Sequence, residues 1–504
     1  MRTTSPLAAA VLVSIALGAW APEARAQDVP RFEPGPCFTD RLPAPIPGLE
    51  DAECGYLVVP ENRSRQDGET MRLAVAIVPA VATEPAPDPI VHLTGGPGGI
   101  ALFDAPALIA TGLNRRRDLI LMNQRGTFLS EPALTCESID NFNRRLLGLP
   151  LDTEKTRRKH VAATRRCHRE LVARGIDLAD FNTTENAADF ADLRRVLGYD
   201  RWNLFGVSYG TDLALTILRD HPEGLRSVTL DSVVPPSVVT LPGFWPNARD
   251  AFLNLFRACE AQADCNASFP QLERTFTDLV RRLEVNPVTT TVADPSTGAP
   301  TTVVLDGGAL VNWLVSVSLT KGAFEHVPSW IAELAAGDAT RIAEFRLSQL
   351  TPPGLVAYGL AYSVICREWY PFASRAQVLA AGRDAFPRYP RSVRAEPPQF
   401  TYFYDDCPVW NVPPAPASFR TPTVSDVPVL FLSGSFDAIT PLAWAYAAAE
   451  TLPNAEIVSI PGAGHFVAPE SACAQSVLAS FLRRPHAPRT DCVSALLPPP
   501  FVTP

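Results

Sequence analysis

Apolar residues in this chain come in two rhythms. Short, mainly apolar runs occupy residues 90–93, 119–122, 202–205, 227–230, 429–432 and 455–460. Runs of that length, bounded by turn residues, predict buried parallel strands. Between them lie stretches with helical spacing, including a charged amphipathic segment at 154–173 and another at 185–197. Two further runs, 55–59 and 71–78, are joined by a short polar segment and predict an antiparallel opening after a proline-rich leader at 30–47. After Asp231 the strand–helix rhythm stops for nearly 190 residues. Aromatic-rich helical segments at 252–259, 310–319, 331–350 and 356–369 fill the gap, with a hairpin at 289–305 turning at Asp294-Pro-Ser-Thr-Gly. The rhythm resumes at Val427. The expectation is an α/β fold: a mostly parallel central sheet, helices on both faces, and a large helical lid inserted between two halves of the sheet. Its parts are a first core segment at 27–236, the lid at 237–424 and a second core segment at 425–504.

The chemistry gathers at the ends of these strands. The run at 202–205 leads into Gly206-Val-Ser208-Tyr-Gly210, and a helical run follows. A sharp strand-to-helix turn pushes a serine Oγ clear of the backbone, and it crowds its neighbours until only glycine fits on either side. The following helix aims its positive end at the place where oxyanion charge would develop. With a nucleophile so placed, an acid and then a histidine follow along the chain. Four of the seven histidines come after Ser208, namely His221, His326, His465 and His486. Asp437 follows the strand at 429–432, and His465, in Pro461-Gly-Ala-Gly-His, follows the strand at 455–460. Both therefore fall just past the C-terminal ends of strands, where ligands meet open α/β sheets. No strand precedes His221 or His326, and His486 lies in a basic, proline-containing stretch.

An early strand, Pro89-Ile-Val-His-Leu, runs into Thr94-Gly95-Gly96-Pro97-Gly98-Gly99. Bare backbone there can bring N–H groups close to a reacting carbonyl, so Gly96 is one oxyanion donor and Tyr209, after the nucleophile, is the other. A phosphate cradle would need Gly-Lys-Ser/Thr or Gly-x-Gly-x-x-Gly, and neither is present here.

Taken together, Thr94-Gly-Gly-Pro-Gly-Gly, Asn123-Gln-Arg125-Gly-Thr, Glu185-Asn-Ala-Ala-Asp, Gly206-Val-Ser208-Tyr-Gly210, Gly434-Ser-Phe-Asp437 and Gly464-His465 resemble the secreted prolyl/tripeptidyl aminopeptidase group of α/β-hydrolases. The tail with Cys473 and Cys492 is similar to that group's TAP-like C-terminal region. The resemblance spans most of the chain and is weakest between about residues 240 and 420. Thr94 and Asn123 stand where relatives often have His and Asp. The resemblance implies an α/β-hydrolase fold and a serine exopeptidase with a Ser208–Asp437–His465 triad. Capturing a free N-terminus requires carboxylates to pair with the ammonium. Glu185, Glu368, Asp405 and Asp406 are the candidates, the last three beside aromatic residues. Arg125 is expected to support the site through hydrogen bonds. A carboxylesterase with the same triad is the alternative, and a catalytically silent hydrolase relative is a second.

Composition narrows the setting. Arg2, an apolar stretch at 7–21 and Ala24-Arg-Ala26 predict a signal peptide over 1–26, cleaved before Gln27, for a secreted or periplasmic protein. No other stretch is long enough to span a bilayer. The net charge of −9 argues against nucleic acid as a partner. Ten cysteines in an oxidising compartment predict disulfides. Sequence leaves their connectivity open, though local spacing favours Cys37–Cys54, Cys136–Cys167, Cys259–Cys265, Cys366–Cys407 and Cys473–Cys492. No Cys-x-x-Cys or His-Glu-x-x-His spacing points to a metal, no cofactor is expected, and a monomer is.

Overall fold

A computed structural model describes residues 29–38, 41–42, 44–65 and 69–504. The expected signal peptide lies outside the described residues. Nine strands form one sheet: β1 (Arg31–Gly35), β2 (Glu53–Pro60), β3 (Thr70–Val78), β4 (Ile90–Leu93), β5 (Leu119–Met122), β6 (Trp202–Val207), β7 (Leu225–Asp231), β10 (Val429–Gly434) and β11 (Ala455–Ile460). Their order across the sheet is β1-β2-β3-β5-β4-β6-β7-β10-β11. Pairing is antiparallel from β1 to β5 and parallel from there onward. Every residue of β4, β5, β6 and β10 is buried, as expected of mainly apolar strands covered on both faces, and β4 and β6 bury His92 and Asn203 as well. Exposure is greatest at the two margins, in β1 and the half-buried β11. One difference from expectation is β1, which lies inside the proline-rich leader and pairs with β2 as an edge strand.

Between β7 and β10 the chain builds the expected helical insertion, with β8 (Val288–Ala293) and β9 (Pro300–Leu305) as its hairpin. The helical run expected at 331–350 is two helices, Val327–Ala335 and Thr340–Ser348. Gly337 breaks it at φ +104°, and Asp338 then accepts the Thr340 N–H at 2.9 Å. The helices Glu137–Leu146 and Glu154–Ala173, which come before the nucleophile, also reach into the insertion. His160 Nε2 lies 2.8 Å from Tyr362 Oη, and Asn143 donates to Tyr358 Oη at 2.8 Å. Five disulfides tie the molecule, in the pairs favoured by spacing. No described helix is long and apolar enough to cross a membrane.

Candidate active site

Register brings the site to one edge of the sheet. Val207 pairs with Asp231, which pairs with Leu432, so the C-terminal ends of β6, β7 and β10 are level. Ser208 sits between β6 and the helix Tyr209–Asp220 at φ 56°, ψ −126°, a backbone state that non-glycine residues adopt only under constraint. The constraints are visible. Ser208 N–H donates to the Asp231 carbonyl at 3.0 Å, and its own carbonyl accepts from Thr211 N–H at 2.8 Å. A Cβ on Gly210 would lie 1.9 Å from the Leu93 carbonyl oxygen, and one on Gly206 would lie 2.5 Å from that of Gly210. Backbone cannot yield by such amounts, so both glycines are obligatory.

His465 and Asp437 meet across successive loops, with His465 Nδ1 2.9 Å from Asp437 Oδ2. The carboxylate is fixed by Ile439 N–H and Thr440 N–H at 2.8 and 2.9 Å and by the Thr440 hydroxyl at 2.5 Å. Burial pushes Asp437 up, but the neighbouring imidazole and these hydrogen bonds outweigh it and hold the acid below its ordinary range. Burial likewise depresses His465, yet the Asp437 carboxylate more than compensates and holds the imidazole above 6.5. The Asp437 contact occupies Nδ1 and leaves Nε2 free of that carboxylate. Ser208 and His465 line one cavity of about 480 Å³. No hydrogen bond joins them among the described residues, and such bonds commonly tighten only with substrate bound.

The histidine loop has supports that the linear motifs did not indicate. Asp231 accepts Val467 and Ala468 N–H groups at 2.8 Å each, and Glu470 accepts Gly464 N–H at 2.7 Å. Burial raises Asp231 to about 6 and Glu470 to about 7, against those hydrogen bonds. His465 N–H donates to the Ser318 carbonyl at 2.7 Å, which ties the helical insertion to the histidine loop. The only hint of Asp231 in the sequence is an acid at the end of a buried strand.

Gly95 and Gly96 line the same cavity. A Cβ on Gly95 would come within 2.8 Å of Ser208 Cβ, so this backbone lies directly against the Ser208 side chain. Tyr209 opens its helix, so its N–H has no partner within the helix. Thr94 and Asn123, the two departures from the family pattern, hold the loop in place. Thr94 Oγ1 donates to Asp104 at 2.6 Å, while Asn123 bonds Leu102 N–H and the Phe128 carbonyl. Arg125 is fully buried and bidentate to Asp189 at 2.8 Å, with the carbonyls of Glu61 and Asp180 as further acceptors.

The four acids expected to meet a substrate amine lie elsewhere, and none lines the Ser208 cavity. Glu185 pairs with Arg63 at 2.6 Å. Asp405 pairs with Arg375 and Arg157, and the buried Asp406 meets Tyr362 Oη and His160 Nε2. Glu368 accepts Thr183 N–H at 2.8 Å and its hydroxyl at 2.5 Å, and burial raises it to about 7. Thr183 in turn meets Tyr209 Oη at 2.8 Å, so Glu368 reaches the oxyanion side only through two intermediaries. Aromatic neighbours, the signal that selected these acids, mark the packed interior of the lid. A separate group, Asp152, Glu284 and Asp306, brings three carboxylates within 4.8 Å of one another, again outside this cavity.

Residues 88–472 match the α/β-hydrolase fold family. This protein belongs to that family. It is 26% identical over 431 residues to the serine protease Hip1 of Mycobacterium tuberculosis, covering 81% of this chain and 80% of that one. Over 210 residues it is 29% identical to the tripeptidyl aminopeptidase of Streptomyces lividans, covering 40% and 38% of the two chains. Among solved structures, the proline iminopeptidase of Mycobacterium smegmatis aligns with a TM-score of 0.38 at 15% identity, over 86% of this chain and 98% of that one.

Proposed function

We propose that this protein is an exported serine peptidase that cleaves short fragments from free peptide N-termini through an acyl-enzyme on Ser208. The observation that carries the reading is the 2.9 Å contact between His465 and Asp437 at a cavity that also holds Ser208 on a constrained turn. His465 Nε2 takes the Ser208 proton as Oγ attacks the scissile carbonyl. Backbone N–H groups of Gly96 and Tyr209 receive the oxyanion, and Asp437 keeps the imidazole in the required tautomer. Collapse expels the amine, which takes its proton from His465. Water then enters, gives a proton to His465 and cleaves the acyl ester, restoring Ser208.

Peptide rather than ester substrates are supported by the likeness to Hip1 and the tripeptidyl aminopeptidase. Export is supported by five disulfides, which persist in oxidising compartments. In this reading the core segments 27–236 and 425–504 carry the chemistry, and the lid, 237–424, governs access. Incubation with a peptide library, followed by mass spectrometry of the products, tests it. Short N-terminal fragments are expected. Intact peptides alongside rapid cleavage of short acyl esters would reassign the protein as a carboxylesterase.

A further inference from the structure

The catalytic cavity has a neighbour. A second cavity of about 350 Å³ lies between the helix Glu137–Leu146 and the lid helix Gly307–Val317, and Thr351 and Gln399 line both. Asp140 lines this second cavity and is only 7% exposed. Its Oδ2 accepts Gly354 N–H at 2.9 Å, while Oδ1 has no partner among the described residues. No cation among the described residues pairs with it. Arg144, which lines the same cavity, is engaged with Asp294 at 3.1 Å, and Arg346 donates to the Val304 carbonyl at 2.7 Å. A partly desolvated carboxylate without a counter-ion is disfavoured, and burial raises the Asp140 pKa accordingly. Such a group is built to receive a cation from outside.

We infer that Asp140 binds the α-ammonium of the peptide substrate, so that the chain runs from this lid cavity past Gln399 and Thr351 to Ser208. The inference rests on the exopeptidase reading above and adds the residue that reads the free N-terminus. Connectivity supports it. The segment whose Gly354 is held by Asp140 continues through Leu355 and Val356, which line the catalytic cavity, to Ala357, whose N–H donates to the Gly98 carbonyl at 3.1 Å. A single short segment therefore spans from the ammonium site to the glycine loop beside the nucleophile. Gln399, at the junction, is held at φ +65° with its N–H on Asn312 Oδ1 at 2.5 Å and its amide on Ser316 at 3.2 Å. Backbone forced into that region and pinned by its neighbours commonly marks a ligand-contacting position. An ammonium anchored a fixed distance from Ser208 would make the two cavities a ruler for the released fragment. Asp104 is the competing acid, since it lines the catalytic cavity itself. Its Oδ2 is already shared by His92 Nε2 at 2.8 Å and Thr94 Oγ1 at 2.6 Å, and the side chain is 31% exposed.

The test uses the full chain, a cleaved peptide, its Nα-acetylated twin and a short activated ester. The wild type is expected to favour the free peptide by roughly 30-fold or more in kcat/KM. Asp140→Asn can still accept from Gly354 but carries no charge. It should bring that ratio close to one while leaving the acetylated peptide and the ester within about twofold of wild type. A merely structural Asp140 would instead lower all three substrates together. A preserved ratio in Asp140→Asn, or a ratio lost in Asp104→Asn instead, overturns the assignment while the exopeptidase reading stands. A wild type indifferent to acetylation removes the exopeptidase reading and Asp140's role with it. Should Asp140→Asn lose ester activity, Asp140→Ser is read in the same way, and loss of ester activity in both marks Asp140 as structural and overturns the assignment.

Discussion

Asp231 accepts the backbone N–H of Val467 at 2.8 Å, two residues beyond His465. Its second oxygen takes the Ala468 N–H, and its carbonyl receives the Ser208 N–H. One residue at the end of β7 thus touches both the nucleophile turn and the loop carrying the base. Asp231→Ala should strand two buried N–H groups, at about 1–3 kcal/mol each. The expected result is a lower melting temperature and a fall in kcat on the order of 100-fold, equal for peptide and ester substrates. Unchanged melting and turnover would show that the loop holds itself.

The His465–Asp437 pair sets the pH dependence. His465 must be neutral to accept the serine proton, and the Asp437 charge holds its pKa above 6.5. The acid limb of kcat/KM should therefore have its midpoint above that value, with activity lost as the imidazole protonates below it. Asp437→Asn removes the charge that raises the imidazole, so the limb should move to lower pH. Turnover should also fall, on the order of 10⁴-fold, because the tautomer is no longer enforced. A pH–rate series on both proteins checks direction and size. A limb that stays fixed in Asp437→Asn would show that another group governs it.

Two glycines separate folding from chemistry. Gly210→Ala drives a Cβ onto the Leu93 carbonyl, which belongs to the central sheet, so the turn itself must move. Loss of soluble, cooperatively melting protein is expected. Gly95→Ala meets instead Ser208 Cβ at 2.8 Å, the Val207 carbonyl oxygen at 3.2 Å and Ser208 Oγ at 3.4 Å, a milder clash that a small shift of the loop relieves. That variant should fold with a modestly lowered melting temperature while kcat drops roughly 10²- to 10³-fold, since both Ser208 and the glycine loop are displaced. Thermal melts paired with ester kinetics distinguish the two outcomes. A fully active Gly95→Ala would mean that this loop does not contact the reacting carbonyl.

What could be read in advance follows from how local each signal is. β4, β5, β6 and β10 are buried on both faces, so their residues are mainly apolar and show no polar alternation, with His92 and Asn203 as the exceptions in β4 and β6. The Ser208 turn is legible through the glycines it requires, and the adjacency of Asp437 and His465 through the strands just before them. The four acids have partners distant along the chain, and none of them lines the Ser208 cavity. Glu185 meets Arg63, Asp406 meets His160 and Glu368 meets Thr183, pairings set by tertiary packing with no local signature. Asp140 went unnoticed for the same reason. It lies on a helix before the nucleophile, in a stretch that reads as part of the core, and only the packed lid makes it the wall of a cavity.

The account stands on Ser208 as the nucleophile. Intact-mass spectrometry after treatment with a fluorophosphonate, followed by peptide mapping, tests this most directly. A single adduct on Ser208 is expected, together with loss of peptide cleavage. Ser208→Ala should take up no label and lose on the order of 10⁴ to 10⁶ in kcat while its melting temperature is retained. An unlabelled wild type that still cleaves peptides, or a Ser208→Ala protein that cleaves them at the wild-type rate, would contradict it.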